Sequence, residues 1–597
     1  MLDTALQRLQ DTWGYSEFRG QQGAAITAAL EGRDALVLMP TGGGKSLCYQ
    51  IPGLVREGMG LVISPLIALM QDQVSALQQL GIRAAYLNSS LSPEQQRTLM
   101  EEVTRGDIEL LYIAPERLLS ERSLNWLSRL KLSLIAIDEA HCVSQWGHDF
   151  RQDYLLLHQL ADWFPGVPRM ALTATADMRT RDDICHRLAL TNPERLTASF
   201  DRPNIRYSVA AKTNARAQLL QFLNGRQGQA GIVYCLSRKK VESTAEWLQS
   251  KGFNALPYHA GLPQELRQHH QQRFLADDAV IMVATIAFGM GIDKPDVRFV
   301  AHMDLPKAVE SYYQETGRAG RDGEPAEAWM VYGLQDVVRL GQMLDNSDMA
   351  EDIKREERQK LNALLGWCEM TECRRTALLA YFGEEYPGPC QNCDVCLDPP
   401  STWDGTEAAQ KLLSCIYRSG QRFGAGHVID ILMGKDNDKI RQYGHQELST
   451  WGIGKGLSQS RWQSVLRQCL VQGLVVADSA RFGALTLTEK ARPLLKGERR
   501  LQLREDIAEP ALRKRMSKAA SSVSDSDRAL WEALRECRKQ LAEENGVPPY
   551  VIFHDATLMA MMEQRPQSLS QMSHISGVGA AKLDRFGGAF LEVLQGA

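Results

Sequence analysis

The sequence contains no apolar run that approaches the roughly 20 residues a helix needs to cross a bilayer. Its first residues, Met-Leu-Asp-Thr-Ala, also lack the basic segment followed by an apolar one that is typical of a secretory signal. These two absences argue against a membrane-embedded or secreted protein. We therefore expect a cytoplasmic chain with no membrane partner.

An overall basic charge is missing as well. The formal net charge is −4 at pH 7, so the composition as a whole does not indicate a nucleic-acid partner. The charges are unevenly distributed, however. Residues 403–520 carry 20 lysines and arginines against 12 aspartates and glutamates, whereas residues 521–597 carry 7 against 10. Only the first of these regions is suited by charge to contact phosphates.

A disulfide framework is not expected, although the chain contains 12 cysteines. In a long chain without a secretory signal, single cysteines usually serve as small buried hydrophobic residues. Eight are scattered in this way, and four cluster between residues 373 and 396. We also find no internal repeat of fixed period. The length of 597 residues allows about three to five domains.

Short apolar runs alternate with helical patterns up to about residue 335, which predicts two consecutive α/β domains with mostly parallel sheets. The predicted buried strands are 35–39, 60–63, 110–113, 134–137, 231–234 and 280–283. Beyond residue 340 the strands become rare. A charged helical segment leads into the cysteine cluster, and a helical domain with a hairpin near 475–487 follows. The last seventy or so residues are predicted to form a small helical module.

A glycine-rich turn between the first strand and a helical pattern predicts a phosphate-binding loop. Residues 40–46 read Pro-Thr-Gly-Gly-Gly-Lys-Ser. Such a turn points backbone N–H groups and a helix N-terminus at phosphate, while the lysine reaches the β- and γ-phosphates and the serine hydroxyl coordinates Mg²⁺. Met39 stands where the general pattern has a glycine. The predicted nucleotide-binding residues are Thr41, Gly42, Gly43, Gly44, Lys45 and Ser46.

Two carboxylates and two arginines complete a candidate ATPase site. Asp138 and Glu139 follow a buried strand, so Asp138 is expected to hold Mg²⁺ and Glu139 to activate the attacking water. Arg318 and Arg321 lie three residues apart, on neighbouring surfaces if the segment is helical, and guanidinium groups stabilise charge on a transferred phosphoryl group. The alternatives are a pair of solvated helix-capping carboxylates and two surface salt bridges.

These motifs together resemble the RecQ family of superfamily 2 helicases, in the bacterial form. The resemblance rests on Phe-Arg-Gly-Gln-Gln at 18–22, Asp-Glu-Ala-His at 138–141 and Phe-Gly-Met-Gly-Ile-Asp-Lys-Pro at 288–295. It implies an ATP-dependent DNA helicase that moves 3′ to 5′ and acts in recombination, repair and replication restart. It also implies that Tyr15, Arg19 and Gln22 contact adenine, which suits an amide, a guanidinium and an aromatic ring.

The segment after Asp-Glu-Ala-His, residues 142–151, resembles the aromatic loop with which this family senses single-stranded DNA. Bases stack on aromatic rings without sequence preference. The resemblance therefore implies that Trp146, His148, Phe150 and Arg151 bind DNA; the alternative is ordinary core aromatics. Thr-Ala-Thr at 173–175 resembles the motif that couples the nucleotide site to the DNA, with hydroxyls that could bridge the carboxylates of 138–139.

The cysteine cluster predicts a structural zinc site. Four thiolates are the usual ligands of a closed tetrahedral zinc site. Cys390, Cys393 and Cys396 form a C-x-x-C-x-x-C triplet, and the family pattern selects Cys373 as the fourth ligand over the nearby Cys368. Iron–sulfur ligation is the alternative, because ferredoxins carry a similar triplet.

The C-terminal third resembles the DNA-handling modules of the same family. The basic region of about 403–505 resembles a winged helix that binds duplex DNA, and Phe482 at the tip of its hairpin is the candidate strand-separating wedge. A solvent-exposed hairpin aromatic is the alternative. Residues 524–597 resemble the helicase-and-RNase-D C-terminal (HRDC) domain. Tyr550 and Lys582 could bind single-stranded DNA there, but the local negative charge leaves another partner open.

The expected architecture is two RecA-like α/β lobes, a zinc-binding helical module, a winged helix and a small all-α domain. The expected domain boundaries are 1–200, 201–338, 339–400, 401–505, a linker at 506–523, and 524–597. ATP, Mg²⁺ and Zn²⁺ are the expected cofactors. Single-stranded, duplex and branched DNA are the expected partners, at the nucleoid, and the family resemblance also implies a single-stranded-DNA-binding protein and a topoisomerase. The rival functions are an RNA helicase and a DNA-binding scaffold that uses ATP only to change shape.

Overall fold

The computed structural model describes residues 1–144, 150–176, 178–289, 294–478, 484–505 and 525–596. The first lobe is built on a sheet whose described strands are all parallel and run in the order β3-β4-β2-β5-β6-β1-β7. These strands are β1 (Ala35–Leu38), β2 (Met59–Ile63), β3 (Ala84–Leu87), β4 (Leu110–Ile113), β5 (Leu132–Ile137), β6 (Arg169–Thr173) and β7 (Glu194–Thr197). Strands β1, β2 and β5 are buried throughout and apolar apart from Ser133 in β5, because helices cover both faces of the sheet.

The helices of the first lobe cover both faces of this sheet. They are α1 (Leu2–Trp13), α2 (Gln22–Leu30), α3 (Lys45–Val55), α4 (Ile67–Gln79), α5 (Pro93–Arg105), α6 (Pro115–Leu118), α7 (Glu121–Leu127), α8 (Gln152–Leu155), α9 (Leu160–Trp163) and α10 (Met178–Arg187), with 3-10 turns at Ala140–Val143 and Leu156–Gln159. Open parallel sheets bind ligands at the carboxyl ends of their strands, and the phosphate-loop and Asp-Glu motifs follow β1 and β5 there.

The second lobe repeats this design with a parallel sheet in the order β10-β11-β9-β12-β13-β8. Its strands are β8 (Ile205–Ala211), β9 (Gly231–Tyr234), β10 (Ala255–Tyr258), β11 (Ile281–Ala284), β12 (Phe299–His302) and β13 (Ala326–Tyr332). Its helices are α11 (Ala215–Leu223), α12 (Arg238–Gln249), α13 (Gln264–Ala276), α14 (Val309–Thr316) and α15 (Leu334–Asp345).

Two smaller domains follow. The zinc-binding module consists of α16 (Glu351–Glu369), α17 (Arg374–Tyr381) and α18 (Asp394–Leu397). The winged helix comprises β14 (Thr402–Asp404), α19 (Thr406–Arg418), α20 (Ala425–Met433), α21 (Asp438–Gln442), a 3-10 turn at His445–Glu447, α22 (Gln459–Val471), β15 (Val475–Asp478), β16 (Ala484–Leu487), α23 (Ala491–Leu495) and β17 (Gln502–Arg504). The predicted hairpin is the antiparallel pair β15–β16, whose turn lies outside the described residues.

The chain ends in a helical module with its own apolar core. It consists of α24 (Asp525–Asn545), α25 (Pro549–Ile552), α26 (Asp555–Gln564), α27 (Leu569–Met572) and α28 (Ala580–Gly596). The predicted linker 506–523 lies outside the described residues. None of the helices within the described ranges has the length and apolar character required to span a bilayer. The predicted fold class is confirmed.

Candidate functional site: a cleft between the two lobes

The phosphate loop connects β1 to α3 through a turn that requires glycine. Gly42 and Gly44 have φ values of +83° and +76°, in the left-handed region that side chains disfavour. A Cβ at Gly43 would lie 2.9 Å from the carbonyl oxygen of Pro40. Gly44 is the N-cap of α3, so the turn directs the positive end of that helix into the cleft.

Lys45 lies over this turn, and its Nζ donates to the carbonyl oxygen of Met39 at 2.9 Å. It faces Asp138, which follows β5 and whose amide donates to the carbonyl oxygen of Ile63. Burial and the neighbouring charge of Glu139 raise the pKa of Asp138 to about 7, while Lys45 opposes that rise. Ser46 and Asp138 line the same cleft, so a hydroxyl and a carboxylate oxygen fit a hard cation beside the loop.

Glu139 holds a backbone conformation that is uncommon for a residue with a side chain. Its φ is +48°, and its amide donates to Asp138 Oδ1 at 3.0 Å. Such strained positions cluster at functional sites. The bend orients the carboxylate beside the buried His141 ring, with Glu139 Oε2 lying 3.4 Å from His141 Nδ1.

His141 connects the carboxylates to Thr173. Thr173 Oγ1 lies 2.9 Å from His141 Nδ1, the ring nitrogen that also lies 3.4 Å from Glu139 Oε2. Burial, with the charges of Lys45 and Arg151, lowers the pKa of His141 to about 3, and the ring is neutral at pH 7. In the part of the chain that the structure describes, no hydrogen bond joins the hydroxyls of Thr173 and Thr175 to these carboxylates, so the expected direct bridge is not found.

The residues that the resemblance assigns to adenine lie at the edge of the same cleft. The Arg19 guanidinium lies 5.3 Å from the centroid of the Tyr15 ring. Gln22 Nε2 donates to the carbonyl oxygen of Gly44 at 3.1 Å, and Gln22 Oε1 accepts from the Arg19 amide at 2.9 Å. Gln22 thus joins this edge of the cleft to the phosphate loop.

The second lobe contributes Arg318 and Arg321 to the opposite wall. Helix α14 ends at Thr316, so both arginines lie in the turn that follows it and not on the helix itself. Arg318 is 4% exposed, and among the described residues its Nε has no hydrogen-bond acceptor. A Cβ at Gly42 would lie 3.4 Å from Arg321 Cγ, which places that side chain directly against the phosphate loop.

Sequence reasoning missed Arg202, which lies in the segment between the lobes. Its two terminal nitrogens donate to four carbonyl oxygens at 2.8–3.0 Å, those of Thr41, Gly317, Ala319 and Gly320. One acceptor, Thr41, belongs to the phosphate loop. The other three belong to the turn after α14 that carries Arg318 and Arg321, which we call the arginine turn. The Asp-Arg-Pro-Asn string at 201–204 was the available signal, but nothing in it indicates partners so far away in the chain.

The cleft between these walls has a volume of about 660 Å³, within the range of small-molecule sites. Part of its lining was not expected. The C-terminal helical module contributes Tyr550, His554, Thr557 and Lys582 to the same cavity. The two residues that the sequence offered as DNA contacts, Tyr550 and Lys582, therefore face the nucleotide site.

The predicted DNA-binding residues of the aromatic loop are described only in part. Trp146 and His148 lie outside the described residues. Phe150 is half-buried, and Arg151 Nη1 donates to the carbonyl oxygen of Pro65 at 3.1 Å, beside the carboxyl end of β2. This contact fixes the end of the loop to the first lobe. The predicted wedge, Phe482, also lies outside the described residues.

The four clustered cysteines converge at the edge of the second lobe. The sulfur atoms of Cys373, Cys390, Cys393 and Cys396 all lie within 4.8 Å of one another, and Cys368 is not part of the group. Burial raises the pKa of Cys373, but hydrogen bonds from Thr376 and from the amide of Cys390 outweigh it and lower the pKa to about 6. Four thiolates at this spacing fit a tetrahedral Zn²⁺.

This cysteine group is tied to the hinge between the lobes. Arg375 of α17 pairs with Asp201 and donates to the carbonyl oxygen of Ile205 at 2.7 Å. The amide of Val209 in β8 donates to Asp394 Oδ2 at 2.9 Å. These contacts hold α17 and α18, which carry the cysteine group, against the first strand of the second lobe.

Comparisons with known protein families match successive parts of the chain. The matching profiles are DEAD/DEAH box helicase over residues 19–184, Helicase conserved C-terminal domain over 214–323, RecQ zinc-binding over 334–397, RQC domain over 399–511 and HRDC domain over 527–594. The order of the profiles follows the order of the domains described above.

Curated relatives match nearly the whole length. The chain is 48% identical over 597 residues to the ATP-dependent DNA helicase RecQ of Pasteurella multocida (strain Pm70), covering 99% of this chain and 94% of that protein. It is 39% identical over 600 residues to the protein of that name in Bacillus subtilis (strain 168), covering 100% and 99%. The RecQ-like DNA helicase BLM of Xenopus laevis is 36% identical over 629 residues, covering 98% of this chain and 46% of that protein. The chain belongs to the RecQ family of ATP-dependent DNA helicases.

Proposed function

We propose that this chain hydrolyses ATP in the cleft between its lobes, moves 3′ to 5′ along single-stranded DNA and unwinds duplex or branched DNA. Recombination, repair and replication restart are the proposed settings. One observation carries the proposal: Lys45, Asp138 and Glu139 of the first lobe line the same cavity as Arg318 and Arg321 of the second. When residues of two lobes complete one ATP site, the geometry of that site changes as the lobes move. A protein that only binds a nucleotide has no need of such a divided site.

Each side chain has a role in phosphoryl transfer. Lys45 and the N-terminus of α3 bind the phosphates, and Arg318 and Arg321 neutralise charge that develops on the transferred group. Glu139 orients the attacking water and accepts its proton. Ser46 and Asp138 hold Mg²⁺, which neutralises phosphate charge when bound. Tyr15, Arg19 and Gln22 select adenine.

Coupling to DNA follows from the position of these groups on opposite lobes. Nucleotide phosphates attract the arginine turn towards the phosphate loop, so binding favours a closed cleft and product release favours an open one. The His141–Thr173 contact transmits the state of Glu139 to the end of β6. Trp146, His148, Phe150 and Arg151 bind the strand, and stacking of a base on an aromatic ring is worth about 1–3 kcal/mol.

The remaining modules handle the DNA and its partners. The zinc group stabilises the side of the second lobe that adjoins the segment between the lobes. The winged helix binds duplex DNA, and Phe482 acts as the strand-separating wedge. We place the chain in the cytoplasm at the nucleoid, with a single-stranded-DNA-binding protein and a topoisomerase as partners. The proposed domain boundaries are 1–200, 201–338, 339–400, 401–505 and 524–597, with a linker at 506–523.

Unwinding assays test this proposal. Partial duplexes with a single-stranded tail at either the 3′ or the 5′ end report direction, and forked and four-way substrates report preference. We expect unwinding of the 3′-tailed duplex with ATP and Mg²⁺, and loss of unwinding in Lys45→Ala with retained DNA binding. Lys251→Ala, an exposed lysine remote from the cleft, is the matched control.

Opposite results would contradict separate parts of the proposal. Unwinding of the 5′-tailed substrate alone would reverse the direction. Wild-type ATP hydrolysis by Lys45→Ala would remove the phosphate loop from the mechanism. DNA-stimulated hydrolysis without unwinding of any substrate would favour the rival function, a DNA-binding scaffold that uses ATP only to change shape.

A further inference from the structure

Tyr234 lies behind the arginine turn, at the carboxyl end of β9. Its side chain is buried, and its hydroxyl donates to the carbonyl oxygen of Phe288 at 2.8 Å. Phe288 belongs to the segment 285–289, which follows β11. Strands β9 and β11 are parallel neighbours in the sheet. The hydroxyl therefore joins the carboxyl end of one strand to the segment that leaves the other.

Arg318 lies beside this hydroxyl. Burial raises the pKa of Tyr234 to about 12, and the charge of Arg318 and a hydrogen bond from it oppose that rise. Because the hydroxyl proton is directed at Phe288, the phenol oxygen accepts from the guanidinium through its remaining lone pairs. One oxygen atom therefore contacts both the 285–289 segment and an arginine of the cleft.

The 285–289 segment also contacts Arg318 through its backbone. A Cβ at Gly289 would lie 3.0 Å from Arg318 Nη2 and 3.0 Å from the carbonyl oxygen of Ile286. The glycine thus leaves room for the guanidinium to approach the backbone closely. Because Arg318 is buried, these protein contacts set its position, and solvent contributes little.

A second series of contacts leads from the same tyrosine to the arginine turn. The Tyr234 ring stacks on His302 at the end of β12, with the ring centroids 5.2 Å apart. His302 Nε2 lies 2.6 Å from Oε2 of the buried Glu315. The carbonyl oxygen of Glu315 accepts from the Arg318 amide at 3.4 Å. Tyr234 therefore supports the guanidinium through its hydroxyl and the backbone of the arginine turn through its ring.

We propose that Tyr234 is a positioning residue for ATP hydrolysis, whose hydroxyl fixes the Arg318 guanidinium against the 285–289 segment. The proposal rests on the function proposed above, since it requires Arg318 to act on the nucleotide. A guanidinium stabilises developing phosphoryl charge best when it is already in place, because no energy is then spent on moving it. Among the described residues that line the cleft, Tyr234 is absent, so it acts through Arg318 and not on the nucleotide itself.

This arrangement makes the arginine sensitive to the 285–289 segment. A displacement of Phe288 moves the acceptor of the Tyr234 hydroxyl, and a displacement of Gly289 moves the backbone against which Arg318 packs. Ile286 in the same segment is 62% exposed, so the segment is open to solvent on its outer side. The rate of hydrolysis therefore depends on a segment that contributes no described residue to the lining of the cleft.

Tyr234→Phe tests the hydroxyl and keeps the ring that stacks on His302. We expect it to lower the kcat of DNA-stimulated ATP hydrolysis about tenfold, while the KM for ATP changes less than about twofold. The affinity for ADP with aluminium fluoride should also fall about tenfold, and the affinity for ADP alone should not. Tyr258→Phe is the matched control. The Tyr258 ring also packs on Phe288, with centroids 4.8 Å apart, but its hydroxyl makes no hydrogen bond within the described residues.

A double-mutant cycle separates positioning from a general loss of structure, with single-turnover hydrolysis as the measurement. In the Arg318→Ala background, Tyr234→Phe should change the rate less than about twofold, because the group that it positions is already gone. A purely structural defect would lower the rate by the same factor in both backgrounds. Gly289→Ala should lower the rate about tenfold, since its methyl group meets Arg318 and the Ile286 carbonyl. Gly366→Ala in α16, which meets nothing within 4 Å, should leave the rate unchanged.

Two outcomes would overturn the proposal. A kcat of Tyr234→Phe within about twofold of wild type would show that hydrolysis does not need the hydroxyl. An equal loss in the Arg318→Ala background would show that Tyr234 does not act through this arginine. Failure of the proposed function looks different: hydrolysis at the wild-type rate by Arg318→Ala alone would remove the arginine from the mechanism, and a wild-type chain without ATPase activity would contradict the ATP site.

Discussion

Arg202 Nη1 donates to the carbonyl oxygen of Thr41 at 3.0 Å, which joins the segment between the lobes to the phosphate loop. The same nitrogen reaches Gly317, and Nη2 reaches Ala319 and Gly320. One guanidinium therefore holds the loop and the arginine turn in a fixed relation. Arginine suits this role because its planar donors bind several acceptors at once.

Replacement of Arg202 should lower the rate of ATP hydrolysis, which depends on the position of the arginine turn, more than it weakens nucleotide binding. We expect Arg202→Gln to lower the kcat of DNA-stimulated ATP hydrolysis about 10- to 100-fold, because small misplacements of catalytic groups are costly. The KM for ATP should change less than about threefold. Arg206→Gln, in β8, is the control. The measurement is steady-state hydrolysis together with the affinities for ADP and for ADP with aluminium fluoride; equal loss of both affinities would point to a purely structural role.

Glu139→Gln should separate ATP binding from hydrolysis. The amide keeps the size of the side chain but accepts no proton, so hydrolysis should fall at least about 100-fold while ATP binding persists. Single-turnover hydrolysis and equilibrium ATP binding provide the two readouts. The exposed Glu101→Gln serves as control. Hydrolysis within tenfold of wild type would assign the base elsewhere.

Loss of one zinc ligand should destabilise the packing of α17 and α18 against the second lobe, next to the segment between the lobes. We expect Cys373→Ser to reduce bound zinc from about one ion per chain and to lower thermal stability, because the ion holds α17 and α18 together. Hydrolysis should fall as well, since Arg375 contacts Asp201 and Ile205 beside Arg202. Metal analysis and calorimetry measure these effects. Cys537→Ser, remote from the cluster, should retain zinc; full zinc content in Cys373→Ser would exclude this ligand.

The winged helix should lose stability in mild acid. His427 Nε2 lies 2.7 Å from His445 Nδ1, and burial, His445 and Lys439 lower the pKa of His427 from 6.5 to about 4; burial and Arg422 lower that of His445. Between pH 6.5 and about 4 the unfolded state binds more protons, so stability present above pH 6.5 is lost as the pH falls.

Hydrogen exchange of the α20 amides, corrected for the intrinsic rate at each pH, measures this loss. Protection should decrease from pH 7 towards pH 4.5 in the wild type. The slope should be shallower in His427→Asn, which lacks the titrating group, and unchanged in the exposed His269→Asn. An identical slope in His427→Asn would remove this histidine as the cause.

Much of the fold was readable from local patterns. The predicted strands 110–113 and 231–234 coincide with β4 and β9, because strands buried on both faces are apolar throughout. The phosphate loop was equally clear, since its glycines and lysine are adjacent in sequence and the turn geometry follows from them. The cysteine triplet was readable for the same reason. The fourth ligand was harder to predict. Cys373, the N-cap of α17, joins the triplet, whereas the nearby Cys368 does not.

The residue pattern specifies which chemical groups the protein carries, whereas the packing of its domains specifies where those groups meet. Spacing along the chain specifies which groups occur in a turn or at a strand end, because those contacts are local. Arg202 reaches carbonyl oxygens that lie 161 and 115 residues away, and Gly579 packs against Thr12 at the other end of the chain. Contacts of this kind depend on how whole domains pack, which no short stretch of sequence encodes. The cleft shared by two lobes and the C-terminal module exists only in the folded chain.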